Sequence, residues 1–192
     1  MNNVNQAVEI LNKGGVIVFP TDTVFGIGCR IDNLGAIERL FKIRKRPLDK
    51  ATPVLVSNLE MAKSYWDSDT RQVEEKLISK YWPGALTIVL KADKEKVLSL
   101  VRGGGENVGI RMPKNDLILE IIEKVGVPIL APSANLHGEQ TPYSKNDLNK
   151  YIVQSVDLVL DGECLYKNAS TVIDCTKNPW EILRQGVLKV NI

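Results

Sequence analysis

Five of the chain's 25 Lys and Arg side chains fall within nine residues, "KIRKRPLDK" at 42–50. Clustered cations call either for an anionic ligand or for the C-terminal end of a helix, whose dipole favours positive charge. Arg111 in "VGIRMP" and Arg184 in "EILRQG" instead stand singly inside strand-like apolar runs. A guanidinium there lies on an exposed face or meets an anion, which it can grip through a two-point fork. Two polar clusters follow other apolar runs: Thr21, Asp22 and Thr23 in "FPTDTVFGIG", and Ser133, Asn135 and Thr141 in "APSANLHGEQTP". Hydroxyls and amides placed there can reach a ligand in a crevice at the end of a sheet, and they serve equally well as capped turns.

Several chemistries drop out. The single histidine, His137, has no GxSxG motif near it and no second histidine at metal spacing, which disfavours triad hydrolysis and zinc catalysis. There is no GxxxxGK[ST] loop and no strand–GxGxxG–helix unit. "RGGGEN" at 102–107 precedes a strand and reads as a flexible turn before it reads as a phosphate cradle. Cys29, Cys164 and Cys175 are odd in number and far apart, so neither a disulfide framework nor a zinc site is suggested. A net charge of +2 is too small to hold the chain on nucleic acid by charge alone. With no export signal and no apolar run long enough to span a membrane, a soluble cytoplasmic protein is expected.

The elements that must position these residues alternate between helix and strand. "NVNQAVEILNKGG" predicts a helix stopped by Gly14 and Gly15, and "VIVF" at 16–19 a buried strand. A second strand-like run, "VFGIGCRI", precedes a helix from Leu34 to about Arg44, so the basic cluster sits at a helix C-terminus. "PVLVS" reads as a strand, "NLEMAKSYW" and "DTRQVEEKLISKYW" as helices, and "ALTIVLKA" and "NVGIRMP" as strands. "NDLILEIIEKVG" is a helix ending at Gly126, "VPILAPSA" a strand, and "SKNDLNKYI" a helix with a capping signature. "VDLVLDG", "STVIDC" and "WEILRQG" then follow with no helix between them, which argues for a mixed sheet. With 192 residues, 44% apolar content and no linker or repeat, one domain over 1–192 is expected.

Together these segments resemble the YrdC/TsaC-like threonylcarbamoyl-AMP synthases over nearly the whole chain. "FPTDTVFGIGC" is similar to that family's opening Pro-Thr-Asp/Glu-Thr-x-Tyr/Phe-Gly segment, and "KIRKRPLDK" to its Lys-x-Arg-Pro segment. "YWPGALTIVL", "VGIRMP", "APSANLHGEQTP", "STVID" and "ILRQG" resemble the remaining signatures, in order. Two departures stand out. Arg44 occupies the position where the family usually has Lys, leaving Lys42 or Lys45 to supply an ammonium. Thr141-Pro142-Tyr143 stands where Ser-Pro-Thr is common.

The resemblance implies a short, single-domain enzyme that converts L-threonine, bicarbonate and ATP to threonylcarbamoyl-AMP and pyrophosphate, with Mg2+ bound through the ATP phosphates. This is the first step of threonylcarbamoyladenosine formation beside the anticodon of tRNA, and a downstream threonylcarbamoyl-transferase complex is the implied partner. It also implies an α/β fold whose twisted mixed sheet, flanked by helices, curves around a central cavity. Arg44 and Arg46 are then the catalytic cations. Lys42, Arg44, Arg46, Asn135, Tyr143 and Arg184 are expected on ATP, and Thr21, Thr23, Arg111, Ser133 and Ser170 on threonine. Two alternatives are a tRNA or double-stranded RNA binding module and a carbamoyl-phosphate-using carbamoyl-adenylate former of the hydrogenase-maturation kind. The first would want basic residues and aromatics spread over several elements, and the second normally occurs in much longer chains.

Overall fold

A computed structural model describes residues 3–191. Helix α1 (Asn3–Asn12) buries Val4, Ala7 and Leu11, the spacing of one helical face. It leads into β1 (Ile17–Phe19) and β2 (Gly26–Gly28), which pair antiparallel around the Thr21–Thr23 loop. The Phe19 ring lies against β2 so closely that a Cβ on Gly26 or Gly28 would come within 2.9 or 2.8 Å of it. Helix α2 (Leu34–Ile43) starts at Asn33, whose side chain accepts the Ala36 N–H.

The middle of the chain supplies β3 (Val54–Leu55), α3 (Leu59–Lys63), β4 (Leu86–Lys91), β5 (Asn107–Arg111), α6 (Asp116–Val125) and β6 (Ile129–Leu130). Between α3 and β4, α4 (Arg71–Val73) and α5 (Ser79–Tyr81) flank a π-helical turn, Glu74–Ile78. The run "DTRQVEEKLISKYW" is thus helical but not one regular α-helix. Helix α6 is bounded as its sequence predicts: Asn115 caps the Ile118 N–H, and Gly126 ends the helix at φ 77°.

Helix α7 (Lys150–Ser155), β7 (Leu158–Val159), β8 (Thr171–Asp174) and β9 (Glu181–Arg184) complete the chain. The capping signature at Ser144 and Asp147 is present as a reciprocal box. It opens a 3-10 turn, Lys145–Asp147, and α7 begins afterwards.

The strands form two mixed sheets, β2-β1-β7 and β6-β3-β5-β4-β8-β9. Bridges Arg30↔Ile129, at the start of β6, and Gly26↔Ser133, in the loop after it, join them. "VPILAPSA" contributes only two strand residues because Pro128 and Pro132 lack the N–H a longer ladder needs. One apolar cluster lies between α1, α6 and β1, with Ile118, Ile121 and Ile122 fully buried. A second, larger one gathers Ile37, Leu40, Phe41, Leu86, Ile88 and Ile173. The faces of β4, β5 and β8 turned away from that cluster are free to hold a ligand.

Candidate functional site

The site begins at the end of α2. Arg46 N–H reaches Phe41 O at 3.0 Å and Lys45 N–H reaches Lys42 O at 3.1 Å, closing the helix in a Schellman motif. Lys45 takes the left-handed position, φ 49°, where glycine is usual. The reversal sends the neighbouring arginines to different walls. Arg44, 3% exposed, turns inward: Nε donates to Asn135 O at 3.0 Å and Nη2 to Asn135 Oδ1 at 3.3 Å. Arg46 Nη2 donates to Ala51 O at 2.7 Å, its Nε has no partner, and its side chain lines an open cavity. Lys45 is drawn the other way, its Nζ 5.5 Å from the centroid of the Tyr151 ring.

Two adjoining cavities follow. The inner one, about 90 Å³, is bounded by Thr23, Thr87, Arg111, Ser133, Ser170 and Arg184, with Thr141 at its wall. The outer one, about 440 Å³, is within the range of small-molecule sites. It is bounded by Arg46, Thr52, Arg102, Asn107, Asp174 and Arg184 among others. Pro53, Thr87 and Arg184 border both. A larger cavity of about 590 Å³ lies elsewhere, against Lys76, Lys80 and Trp180, and includes none of the predicted residues.

Hydrogen bonds fix the inner cavity. Thr21 Oγ1 donates to Val24 O at 2.7 Å and accepts from the Thr23 and Val24 N–H groups, so it organises the turn between β1 and β2. Arg111, reaching from β5, donates Nε to Gly84 O at 2.9 Å and Nη1 to Thr23 Oγ1 at 2.6 Å, and its Nη2 pairs with Asp22 Oδ1. Three of its N–H bonds are thus taken, leaving one on each terminal nitrogen for a ligand. Burial pushes Arg111 down while the Asp22 carboxylate holds it up. Across the cavity, Ser170 Oγ lies 2.9 Å from Thr87 Oγ1 and accepts from Arg184 Nη2 at 3.0 Å, while Arg184 Nε donates to Ser170 O.

Of the residues predicted from sequence, Thr23, Arg111, Ser133, Ser170 and Arg184 converge on the inner cavity, and Arg46 and Arg184 on the outer. Thr21, Lys42, Arg44, Asn135 and Tyr143 line neither. Asn135 Nδ2 donates to Leu136 O and Glu139 O at 2.9 and 2.8 Å, so with Arg44 it ties the 133–141 loop to the end of α2. Lys42 is exposed and Tyr143 half-buried. Sequence reasoning missed Thr87, Arg102 and Asp174. The available signal was a hydroxyl within the apolar run "ALTIVL", a cation beside the glycines at 103–105, and the last residue of "STVID".

The outer cavity is electrostatically lopsided. Burial lowers Arg44 to about 10, with the nearby Arg46 charge adding to the effect, and it lowers Arg46 and Arg184 as well. Among the described residues none of these three forms an ion pair, whereas Arg111 does. A bound anion would relieve that cost.

A family model described as telomere recombination, for the Sua5/YciO/YrdC group, matches residues 9–186. The chain belongs to the Sua5/YciO/YrdC family. Within this family, it is 34% identical over 185 residues to uncharacterized protein YciO of Escherichia coli K12, covering 96% of this chain and 89% of that one. It is 33% identical over 183 residues to the threonylcarbamoyl-AMP synthase of Pyrococcus abyssi, covering 95% of this chain and 53% of that protein. The crystal structure of P. abyssi Sua5 complexed with L-threonine superposes with a TM-score of 0.89 at 31% identity, over 95% of this chain and 54% of that one. The family fold therefore extends across nearly all of the chain. No helix among the described residues is long and apolar enough to cross a membrane.

Proposed function

We propose that this protein is an L-threonylcarbamoyladenylate synthase: L-threonine, bicarbonate and ATP give threonylcarbamoyl-AMP and pyrophosphate. One observation carries the reading. A small polar cavity opens, across Thr87 and Arg184, into a larger one walled by guanidinium groups, in a family whose P. abyssi member is a synthase with a structure bound to threonine. The inner cavity takes threonine. The free N–H groups of Arg111 face its carboxylate, and Thr23, Ser133 and Ser170 meet its hydroxyl and ammonium-derived ends. Arg46 and Arg184 face the ATP phosphates.

The chemistry needs charge control more than proton transfer. Threonine's amine adds carbon dioxide from bicarbonate to form a carbamate, and a carbamate oxygen attacks the α-phosphorus as pyrophosphate leaves. An anion must therefore approach a highly charged donor, so fixed cations and alignment supply most of the acceleration. Arg184 is placed to serve both partners, since it borders both cavities. Mg2+ would neutralise the phosphates, held by them and by water. Arg44 acts through Asn135, positioning the 133–141 loop. Asn135 shapes the 133–141 loop and Thr21 the turn that presents Thr23, while Lys42 and Tyr143 remain candidates for ATP by the resemblance alone. The product is a labile mixed anhydride, which calls for a transferase partner that passes the threonylcarbamoyl group to tRNA in the cytoplasm.

The test is pyrophosphate release from ATP with Mg2+, omitting threonine and bicarbonate in turn. Release that requires both substrates is expected. Release with carbamoyl phosphate in place of both would assign the other carbamoyl-adenylate chemistry. No release, combined with salt-sensitive RNA binding, would make the protein an RNA-binding module.

A further inference from the structure

We infer that ATP lies across the outer cavity with its nucleoside over the Asp174 end of β8 and Leu183, where the Asp174 carboxylate accepts a ribose hydroxyl, and its phosphates between Arg184 and the Arg46–Arg102 wall. This rests on the adenylating reading above.

Strand register builds the floor. Val89 pairs with Gly109 on one side and with Asp174 on the other, and Thr87 pairs with Val172. These residues alternate with the core-facing Ile88, Ile110 and Ile173, so Thr87, Val89, Gly109, Val172 and Asp174 share the cavity face. The register between β8 and β9 slips after Val172, which pairs with Arg184 while Ile173 pairs with Ile182. The skipped residue, Leu183, is 52% exposed, and both it and Arg184 line the cavity. A bulge re-aims side chains in this way. The result is an apolar patch of Val89, Val172 and Leu183 beside Gly109. A Cβ on Gly109 would come within 3.2 Å of Thr87 Cγ2 and 3.5 Å of Val89 Cγ2, so glycine keeps the floor low. A flat, weakly polar group fits such a surface.

Charge sets the direction. Asp174 is 6% exposed, and its Oδ1 accepts both the Thr176 N–H, at 2.9 Å, and the Thr176 hydroxyl, at 2.6 Å. Its Oδ2 has no donor among the described residues. A carboxylate there repels phosphate and suits a neutral donor such as a sugar hydroxyl. Arg46 and Arg102 line the same cavity from outside the strands, Arg102 in the turn that precedes β5. Arg102 is held by Val97 O at 3.0 Å and by Gly105 O, within the glycine-rich turn. Glu106 also lines this wall, and its charge is matched by Lys94.

The experiment compares ATP, 2′-deoxyATP and 3′-deoxyATP in pyrophosphate release by the wild-type protein, Asp174→Asn and Gly109→Val. Asparagine retains an oxygen for Thr176, and thermal melting verifies folding. Loss of the contacted hydroxyl should raise KM about tenfold or more with kcat little changed, as expected of a hydrogen bond to a charged group. In Asp174→Asn that penalty should shrink to about threefold or less. Gly109→Val should raise the KM for ATP about tenfold. Equal use of all three nucleotides, or an undiminished penalty in Asp174→Asn, overturns the inference. A raised Mg2+ requirement with the penalty intact overturns it too, and assigns Asp174 to the metal. If the wild-type protein releases no pyrophosphate, the adenylating reading fails, and calorimetric binding of the same nucleotides still decides the Asp174 contact.

Discussion

Two buried arginines, Arg111 on the inner cavity and Arg44 behind the 133–141 loop, are treated in opposite ways. Arg111 has a carboxylate partner, Asp22, and two more acceptors in Thr23 and Gly84. Arg44 has only the carbonyl oxygens of Asn135, and its Nη1 is buried without a partner. The first arrangement makes a braced wall in which the guanidinium charge is matched by a carboxylate. The second leaves a buried positive charge without an ion-pair partner, two residues from Arg46 on the outer cavity. In the proposed reaction, threonine would meet the paired region and the phosphates the arginines of the unpaired one.

Breaking the braced side should have the largest effect on stability. Asp22→Ala strands the Arg111 charge in the core and is expected to cost about 3–5 kcal/mol, read from denaturant unfolding. Arg46→Ala should separate the two regions more clearly. It should lower kcat/KM a few hundredfold, the loss expected for one positioned charge-stabilising donor. Stability should move by no more than about 0.5 kcal/mol, because its one side-chain bond is to Ala51 O.

Arg44→Lys sharpens the contrast through pH. Burial lowers Arg44 to about 10, and the same environment would lower a lysine from its ordinary value, near 10.4. The wild-type protein should keep its activity at mildly alkaline pH, while the variant loses activity at a lower pH than the wild type does. Stability should move the other way. A cation whose folded pKa is depressed costs stability at low pH, and that cost is relieved as the pH rises from the folded to the unfolded pKa. The lysine variant should therefore gain stability as pH rises from its depressed folded value towards the unfolded value, about 10.4, while its activity falls. The smallest change is expected for Lys45→Gly. Removing a side chain from the left-handed position saves about 1 kcal/mol of strain, offset in part by added unfolded-chain entropy. A small rise in melting temperature with unchanged kcat would place the strain outside the catalytic geometry.

The helices were the most legible part of the chain. For α6, Asn115, the 118-121-122-125 apolar spacing and Gly126 all act within a dozen residues, so local chemistry specifies the element. The strands were less so. Pro128 and Pro132 shorten β6, and the contact of Trp66 with Ala92 pulls "NLEMAKSYW" out of helix after Lys63. In the site, loop residues such as Thr23 and Ser133 could be picked out because hydroxyls after apolar strands are conspicuous. Thr87, Arg102 and Asp174 could not, since each looks ordinary within its own segment. They face one cavity only after β4 has aligned with β5 on one side and β8 on the other, a register set by residues far apart in sequence. Arg44 shows the converse case. It stands out in the sequence as one of a run of cations, but its tether to Asn135 follows only from the packing of the 133–141 loop against the end of α2.

That Schellman turn also constrains how this segment can change. Exposed loops ordinarily accept insertions and deletions with little penalty. Here the Arg46 N–H to Phe41 O bond sets the spacing, so adding or removing one residue between 44 and 46 would move Arg46 relative to the Arg44–Asn135 tether. The surface stretch richest in positive charge is therefore constrained in length, and at Lys45 in side chain too, since the left-handed backbone disfavours β-branched residues and proline.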